Sequence, residues 1–185
     1  CTLCAHGKIG AGISQTVEST ACTSCPAGKF SSSAGLTSCL SCPIGKYSGS
    51  RAPACANCLS GKFADQAGLP SCTICPAGKF NTIASAGICF NCMPGSYSGP
   101  ESTACKQCPP GKYNSQLAQA ACAACGLGSV QPLVGHSSPC VACAVGQFVS
   151  ASDSQVMCTD CQVGMYQAQS QMSSCSYCNI GQYVS

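Results

Sequence analysis

The sequence lacks tryptophan, has few charged side chains and has too few large aliphatic residues for an ordinary hydrophobic core. Leu, Ile, Val and Phe together number 29 of the 185 residues. This share lies below the roughly 20 % under which chains usually fail to bury such a core. Only 7 % of the residues are charged and the net charge is +3, whereas disordered polyelectrolytes combine low hydrophobicity with high net charge. Something other than side-chain burial must therefore hold this chain together.

The same shortages exclude several classes of function. Eight basic residues in 185 form no dense cationic surface, which argues against a nucleic-acid partner bound through its phosphates. No run approaches the roughly 18 consecutive apolar residues of a membrane helix, so we predict no membrane span. No charged-then-apolar leader opens the sequence, and we expect a signal peptide to have been removed or to lie upstream.

Catalytic and metal-binding patterns are also missing. His6 and His136 lie far apart, so no nucleophile, base and orienting group assemble locally, and we predict neither an enzyme nor catalytic residues. No two acids lie close enough to share a calcium ion, and we predict no metal and no cofactor. The acids are Glu18, Asp65, Glu101, Asp153 and Asp160. No Asn-x-Ser/Thr site for N-glycans occurs; the loop serines and threonines permit O-linked glycans or are plain polar turn residues.

Cysteine is what the sequence has in abundance. Its 22 cysteines all belong to eleven Cys-x-x-Cys pairs, and successive pairs start 16 to 21 residues apart. The pairs begin at Cys1, Cys22, Cys39, Cys55, Cys72, Cys89, Cys105, Cys122, Cys140, Cys158 and Cys175. So high a cysteine share is typical of disulfide scaffolds in secreted proteins. We therefore predict one continuous array of about eleven repeats over residues 1–185.

A fixed pattern follows each pair. A glycine stands three residues after the second cysteine in every repeat, and an aromatic follows two residues later in nine of them. The glycine suits a tight turn with positive φ, and the aromatic suits a short strand. The remaining Ser, Ala, Thr, Gln and Gly residues are expected to form turns and short edge strands. Recurring Cys, Pro and Gly leave no helical stripe, so we predict almost no helix, with one helical turn at most in 115–125.

Three interpretations of the cysteine pairs compete: a redox motif, a zinc site and a disulfide ladder. A redox motif needs one pair at the start of a helix in an α/β fold, and eleven copies without that pattern argue against it. Zinc fits the spacing of two consecutive pairs, but an odd number of pairs would leave one unmatched. The chain also lacks the charge expected of a cytosolic or nuclear zinc protein. The composition therefore favours the ladder.

The spacing suggests one connectivity for such a ladder, in which the second cysteine of each pair bonds the first cysteine of the next. The ten bridges would be Cys4 to Cys22, Cys25 to Cys39, Cys42 to Cys55, Cys58 to Cys72, Cys75 to Cys89, Cys92 to Cys105, Cys108 to Cys122, Cys125 to Cys140, Cys143 to Cys158, and Cys161 to Cys175. Spacing alone does not fix this pairing. Cys1 and Cys178 remain, and we expect each to pair outside the sequence, so that the chain is a slice of a longer array.

The segments Cys25-Pro26-Ala27-Gly28-Lys29-Phe30 and Cys75-Pro76-Ala77-Gly78-Lys79-Phe80 carry a family resemblance. They resemble the ephrin-receptor-like cysteine-rich repeat, and they are similar to the first small module of tumour-necrosis-factor-receptor cysteine-rich domains. The resemblance implies a bridge from the cysteine before Pro-x-Gly-Lys-aromatic to the next cysteine. It also implies a place in large extracellular proteins and no enzymatic activity. The last four repeats depart from the pattern by lacking both Pro and Lys.

Six of the seven lysines follow the repeated glycine. They are either a basic ladder for acidic glycans or a neighbouring chain, or a solvated edge that keeps strands from aggregating. The six are Lys8, Lys29, Lys46, Lys62, Lys79 and Lys112.

These observations combine into one fold class and two functions. The predicted fold is a small disulfide-rich β/irregular structure, in which tandem repeats of about 17 residues stack as an elongated rod with a ladder of disulfides. The predicted function is that of a structural protein, extracellular or at the cell surface, forming part of a filament, fibril, appendage or stalk. It would associate with itself or with other extracellular structural proteins. The alternative is a receptor ectodomain that binds a protein ligand.

Overall fold

A computed structural model of the chain describes residues 2–10, 22–150, 155–179 and 181. Within these ranges the chain forms short strands and turns and no helix. The segment 115–125 forms a turn and a strand, without the helical turn that its composition allowed. The strands are β1 (Lys8–Gly10), β2 (Cys22–Ser24), β3 (Lys29–Phe30), β4 (Leu40–Ser41), β5 (Lys46–Tyr47), β6 (Ala56–Asn57), β7 (Lys62–Phe63), β8 (Thr73–Ile74), β9 (Lys79–Phe80), β10 (Phe90–Asn91), β11 (Ser96–Tyr97), β12 (Lys106–Gln107), β13 (Lys112–Tyr113), β14 (Ala123–Ala124), β15 (Ser129–Val130), β16 (Val141–Ala142), β17 (Gln147–Phe148), β18 (Thr159–Asp160), β19 (Met165–Tyr166) and β20 (Ser176–Tyr177).

Consecutive strands pair into two-stranded sheets, ten in the described residues. The first strand of a pair holds the aromatic position, and the second lies between the two cysteines of the next Cys-x-x-Cys. In the antiparallel pair of β3 and β4, for example, Lys29 faces Ser41 and Phe30 faces Leu40. The aromatic strand predicted from the sequence is therefore present, and its partner is the cysteine pair itself.

A tight turn leads into each first strand, as the repeated glycine predicts. The backbone N–H of Lys29 donates to the carbonyl of Pro26 at 3.1 Å, which closes a four-residue turn. Gly28 occupies the third position of this turn with φ of 83°, a conformation that type II turns require there and that glycine adopts without a steric penalty.

The segments after the aromatic are turns. The edge strands expected there are missing from the described residues, apart from an isolated bridge between Phe30 and Ala52. The reason is that their backbone groups form single hydrogen bonds with other repeats. The N–H of Ser31, for instance, donates to the carbonyl of Ala52 at 3.2 Å.

The chain divides into two compact units. Unit 1 comprises Cys1–Pro76, Phe80–Phe90 and Pro100–Ala104, and unit 2 comprises Ala77–Lys79, Asn91–Gly99 and Cys105–Ser185. Neither unit has a conventional core. Large hydrophobic side chains such as Leu59 and Val163 are exposed, whereas the buried positions are held mainly by cysteines and small polar residues. The predicted disulfide-rich fold class is therefore confirmed.

Candidate functional site

The described residues contain ten disulfides, and these join the same cysteines as the connectivity suggested by the spacing. The bonded Cα atoms lie 5.5 to 5.8 Å apart, within the usual range for disulfides. Bonded sulfurs carry no thiolate, so these twenty cysteines supply no zinc ligands in this state. The structure therefore favours the ladder over the zinc and redox interpretations.

The two cysteines at the ends of the pattern stand apart from these bridges. Cys178 forms no disulfide within the described part of the chain and is half-buried. Cys1 lies outside the described residues. Their pairing with repeats beyond the sequence stays a prediction.

The two ends of a bridge differ in burial. The second cysteine of each pair is buried in most repeats, whereas the first is half-buried. Cys75 shows why, because its backbone joins three repeats of unit 1. Its N–H donates to the carbonyl of Gly61 in the repeat before it, and its carbonyl accepts from the N–H of Glu101 in the repeat after it, both at 2.8 Å.

Unit 2 repeats the same arrangement. The N–H of Cys92 donates to the carbonyl of Gly78, and its carbonyl accepts from the N–H of Ala118, both at 2.9 Å. Each such cysteine is therefore a junction at which a covalent bridge and two backbone hydrogen bonds meet. This junction is the repeated element on which the fold depends.

Directly after each aromatic position lies a buried residue that we call the seam residue. It is polar in most repeats although it is almost inaccessible to solvent. The seam residues are Ser31, Ser48, Ala64, Asn81, Ser98, Asn114, Gln131, Val149 and Gln167. Buried polar groups destabilise a fold unless they are hydrogen-bonded, so their partners matter.

The side chains of the serine and asparagine seam residues donate to the backbone of the preceding repeat. In unit 1 the Ser48 hydroxyl donates to the Lys29 carbonyl at 3.0 Å, and the Asn81 amide donates to the Lys62 carbonyl at 2.8 Å. In unit 2 the Ser98 hydroxyl donates to the Lys79 carbonyl at 3.0 Å. No buried side-chain nitrogen or oxygen in the described ranges is without a partner. The interior thus consists of sulfur and satisfied polar groups.

The seam supports a paired test. Ser48→Ala removes the donor to the Lys29 carbonyl in a buried site, and we expect a loss of about 1 to 2 kcal/mol in the free energy of unfolding. Ala64 occupies the same position in the next repeat without a hydroxyl, and Ala64→Ser is expected to be neutral or to add up to about 1 kcal/mol. Denaturant unfolding of both variants measures the difference. If both substitutions changed the free energy of unfolding by the same amount and in the same direction, the seam hydrogen bond would make no contribution to stability.

A second tight turn occurs in each repeat, usually four residues before the next cysteine pair. We call the residue at its centre the left-handed residue, because its φ lies between 53° and 82°. Only three of the nine are glycine, and L-residues adopt this conformation at a cost of about 1 kcal/mol. The nine are Gly35, Arg51, Gly68, Ser85, Glu101, Ala118, Gly135, Gln155 and Gln171. In eight of them the backbone N–H donates to the carbonyl oxygen of the second cysteine of the preceding repeat, at 2.8 to 3.0 Å.

The first-turn glycine of one repeat lies against the left-handed residue two repeats later. A Cβ atom added at Gly78 would overlap the carbonyl of Ala118, and one added at Gly28 would overlap the carbonyl of Gly68. Gly68 has nearly the same φ, 82°, but a Cβ atom there would meet no neighbour nearer than the Ser41 side chain, at the ordinary contact distance of 3.7 Å. The repeated glycine therefore has two functions, since it permits the turn and it lets two backbones approach closely.

The lysine ladder lies on the first strand of each hairpin. Lys29 and Lys112 are exposed, and the other four lysines of the ladder are half-buried. Among the described residues one ion pair is found, between the Lys62 ammonium and a Glu101 oxygen at 3.0 Å. Both side chains are substantially exposed, so this pair contributes little to stability.

Among the described residues, groups of the kind that perform catalysis are not brought together. His6 is exposed and its Nδ1 bonds to the Ser32 carbonyl at 2.9 Å, while His136 is half-buried. Within the described ranges no three His, Cys, Asp or Glu side chains form a group that could hold a metal ion. A shallow depression in unit 2 is lined by Tyr113 and polar residues, without an acid, a histidine or a thiol.

Two features of this site escaped the sequence analysis. A seam residue lies six positions after the second cysteine. Because its type varies among Ser, Asn, Gln, Ala and Val, no single residue type marks this position in the sequence. The left-handed residue is marked by glycine only at Gly35, Gly68 and Gly135. Counting forward from the second cysteine would have found the seam residue, and counting back from the next pair would have found the left-handed residue in most repeats.

Comparison with protein families supports the resemblance. Residues 12–48 and 95–138 match the family described as tyrosine-protein kinase ephrin type A/B receptor-like, and no curated protein matches the chain. The described residues hold no helix with the length and apolar character needed to cross a bilayer. The family supplies a cysteine-rich module and not a catalytic domain, and the ladder of disulfides is typical of oxidising, extracellular compartments. In these two segments the chain is thus similar to the ephrin-receptor-like cysteine-rich repeat.

Proposed function

We propose that this chain is part of an extracellular structural protein, whose disulfide-linked repeats form a filament, fibril, appendage or stalk. The observation that carries the proposal is the unbroken series of bridges, each joining one repeat to the next. The chain would act mechanically and not as an enzyme. Its partners would be further copies or other extracellular structural proteins, and O-linked glycans on its serine-rich loops would be compatible with this role.

The bridges determine how a pulling force would pass along the chain. Force entering at Cys58 crosses the sulfur bridge to Cys72, then the short segment to Cys75, and then the bridge to Cys89. The loop residues between bonded cysteines are bypassed, because a covalent link shorter than the loop bears the load. Such a chain resists extension and proteolysis even if its turns open locally.

The hydrogen bonds between repeats support the same role. Within each unit a repeat bonds to the repeats before and after it mainly through backbone atoms. Stability in such an array is a sum over neighbours, so it does not depend on one central core. Equivalent surfaces then recur along the chain, and they suit the lateral or end-to-end contacts of a polymer.

A receptor ectodomain is the second candidate, favoured by the description of the matching family. Electron microscopy of the native assembly separates the two. Regular polymeric fibres that disperse on reduction are the expected result. Isolated stalks attached to membranes, which bind a soluble protein and form no polymer, would instead support the receptor function.

A further inference from the structure

The left-handed residue places its side chain beside the lysine of an earlier repeat. Gly61 packs against the carbonyl of Glu101, and the next residue, Lys62, pairs with the Glu101 carboxylate at 3.0 Å. The backbone contact therefore fixes a register in which a lysine and a side chain from two repeats later meet. The residue at the left-handed position therefore decides whether the surface beside that lysine is neutralised or gains a second positive charge.

The same backbone register recurs near the start of unit 1, where the two equivalent positions carry cations, Lys8 and Arg51. A Cβ atom at Gly7 would overlap the carbonyl of Arg51, as one at Gly61 would overlap that of Glu101. Arg51 and Glu101 also share the left-handed conformation, with φ of 62° and 57°. The backbone N–H of each donates at 2.8 Å to the carbonyl oxygen of the second cysteine of the preceding repeat. Arg51 thus extends from the backbone position that places the Glu101 carboxylate on Lys62, and by that equivalence we infer that its guanidinium reaches toward Lys8.

No acidic side chain compensates these two cations among the described residues of unit 1. Its described acids are Asp65 and Glu101, and Glu101 is already paired with Lys62. In the next two repeats, Lys29 and Lys46 have Gly68 and Ser85 at the corresponding left-handed positions, neither of which carries a charge. His6 lies on the same turn as Lys8, and its Nδ1 is engaged with a backbone carbonyl.

We propose that Lys8 and Arg51 form a binding site for the sulfate or carboxylate groups of an acidic polysaccharide, with Lys29 and Lys46 as further contacts. A guanidinium holds an oxyanion through two parallel hydrogen bonds, and a neighbouring ammonium adds a point charge. Relief of the repulsion between the two cations adds to the gain on binding. This site is independent of the mechanical role, because neither cation belongs to the ladder of bridges.

A charge-reversal pair tests the site with heparin as the probe. Arg51→Glu copies the Lys62–Glu101 pair into the first position, and we expect at least about tenfold weaker heparin binding by calorimetry. Arg51→Gln removes the charge alone and should give a smaller loss. Glu101→Arg places a second cation beside Lys62, and we expect this variant to gain a second heparin site of similar affinity.

Inorganic sulfate distinguishes the ion from the polymer. If millimolar sulfate displaces heparin from the native chain but displaces it less from Arg51→Glu, recognition of the oxyanion group at this site is supported. Binding of heparin at the same affinity by the native chain, Arg51→Glu and Arg51→Gln would overturn the proposal. Thermal unfolding of each variant verifies folding, and Arg51→Glu should unfold at the native temperature or above it, since Glu101 already occupies the same backbone conformation.

Discussion

Replacing Cys75 and Cys89 together by alanine is expected to loosen the chain between about residues 61 and 101 and to leave distant repeats folded. The bridge closes a loop with a sequence separation of 14, and its loss should cost about 3 kcal/mol. The effect should extend beyond the bridged loop of residues 75 to 89, because the backbone of Cys75 also holds Gly61 and Glu101. Limited proteolysis followed by mass mapping of the cleavage sites measures the extent.

The bridge between Cys161 and Cys175 gives a matched control. It has the same sequence separation of 14, but Cys161 is half-buried, whereas Cys75 is fully buried. The entropic contribution to the loss in the free energy of unfolding should be equal in the Cys75/Cys89 and Cys161/Cys175 double variants. The contribution from lost packing should be smaller when Cys161 is replaced. Cleavage spread evenly over the whole chain of the Cys75/Cys89 variant would contradict stability that is local to neighbouring repeats.

The second large effect is expected at Gly78, where Gly78→Ala should destabilise the chain by about 2 to 4 kcal/mol. About 1 kcal/mol comes from the positive φ, 82° at this position. A further 1 to 3 kcal/mol or so comes from displacing the Ala118 carbonyl, which a new methyl group would overlap. Chemical denaturation gives the total, and hydrogen exchange at the Ala118 N–H reports the displaced contact.

Gly68→Ala isolates the backbone contribution. Gly68 has φ of 82°, and a Cβ atom there would meet no neighbour nearer than the Ser41 side chain at 3.7 Å, an ordinary contact distance, so only about 1 kcal/mol should be lost there. The difference between the two variants measures how much the close approach of the two backbones contributes. Identical losses at Gly78 and Gly68 would mean that the glycine is required only for its turn.

Much of the local structure was predictable because cysteine, glycine and aromatic residues have narrow structural preferences. Gly28 predicts a turn with positive φ, since glycine adopts that conformation without a steric penalty. Phe30 predicts a strand, since aromatic residues are enriched in strands. The bridge from Cys25 to Cys39 matches the connectivity that the regular spacing of the pairs suggested, although spacing alone does not fix it. These features lie within one repeat or between adjacent repeats, where the sequence carries a direct signal.

Hydrogen bonds made by positions of variable residue type were not predictable in the same way. Arg51 and Glu101 are unfavourable in the left-handed conformation, so their own preferences point away from the turns that they form. Ser48 and Asn81 resemble surface loop residues in composition, yet they are buried because the backbone carbonyls of another repeat accept their hydrogen bonds. Tertiary hydrogen bonding outweighs local propensity at both kinds of position.

The backbone character of the junction at each second cysteine bears on how such a chain can evolve. Because neighbouring repeats recognise one another chiefly through carbonyl and amide groups that every residue possesses, one repeat can replace another without matched changes in its neighbours. Duplication or deletion of whole repeats would preserve the pairing of those that remain. The number of repeats is therefore free to vary between genes, while a frame slip of a few residues within one repeat would disrupt the three repeats that meet at its cysteine.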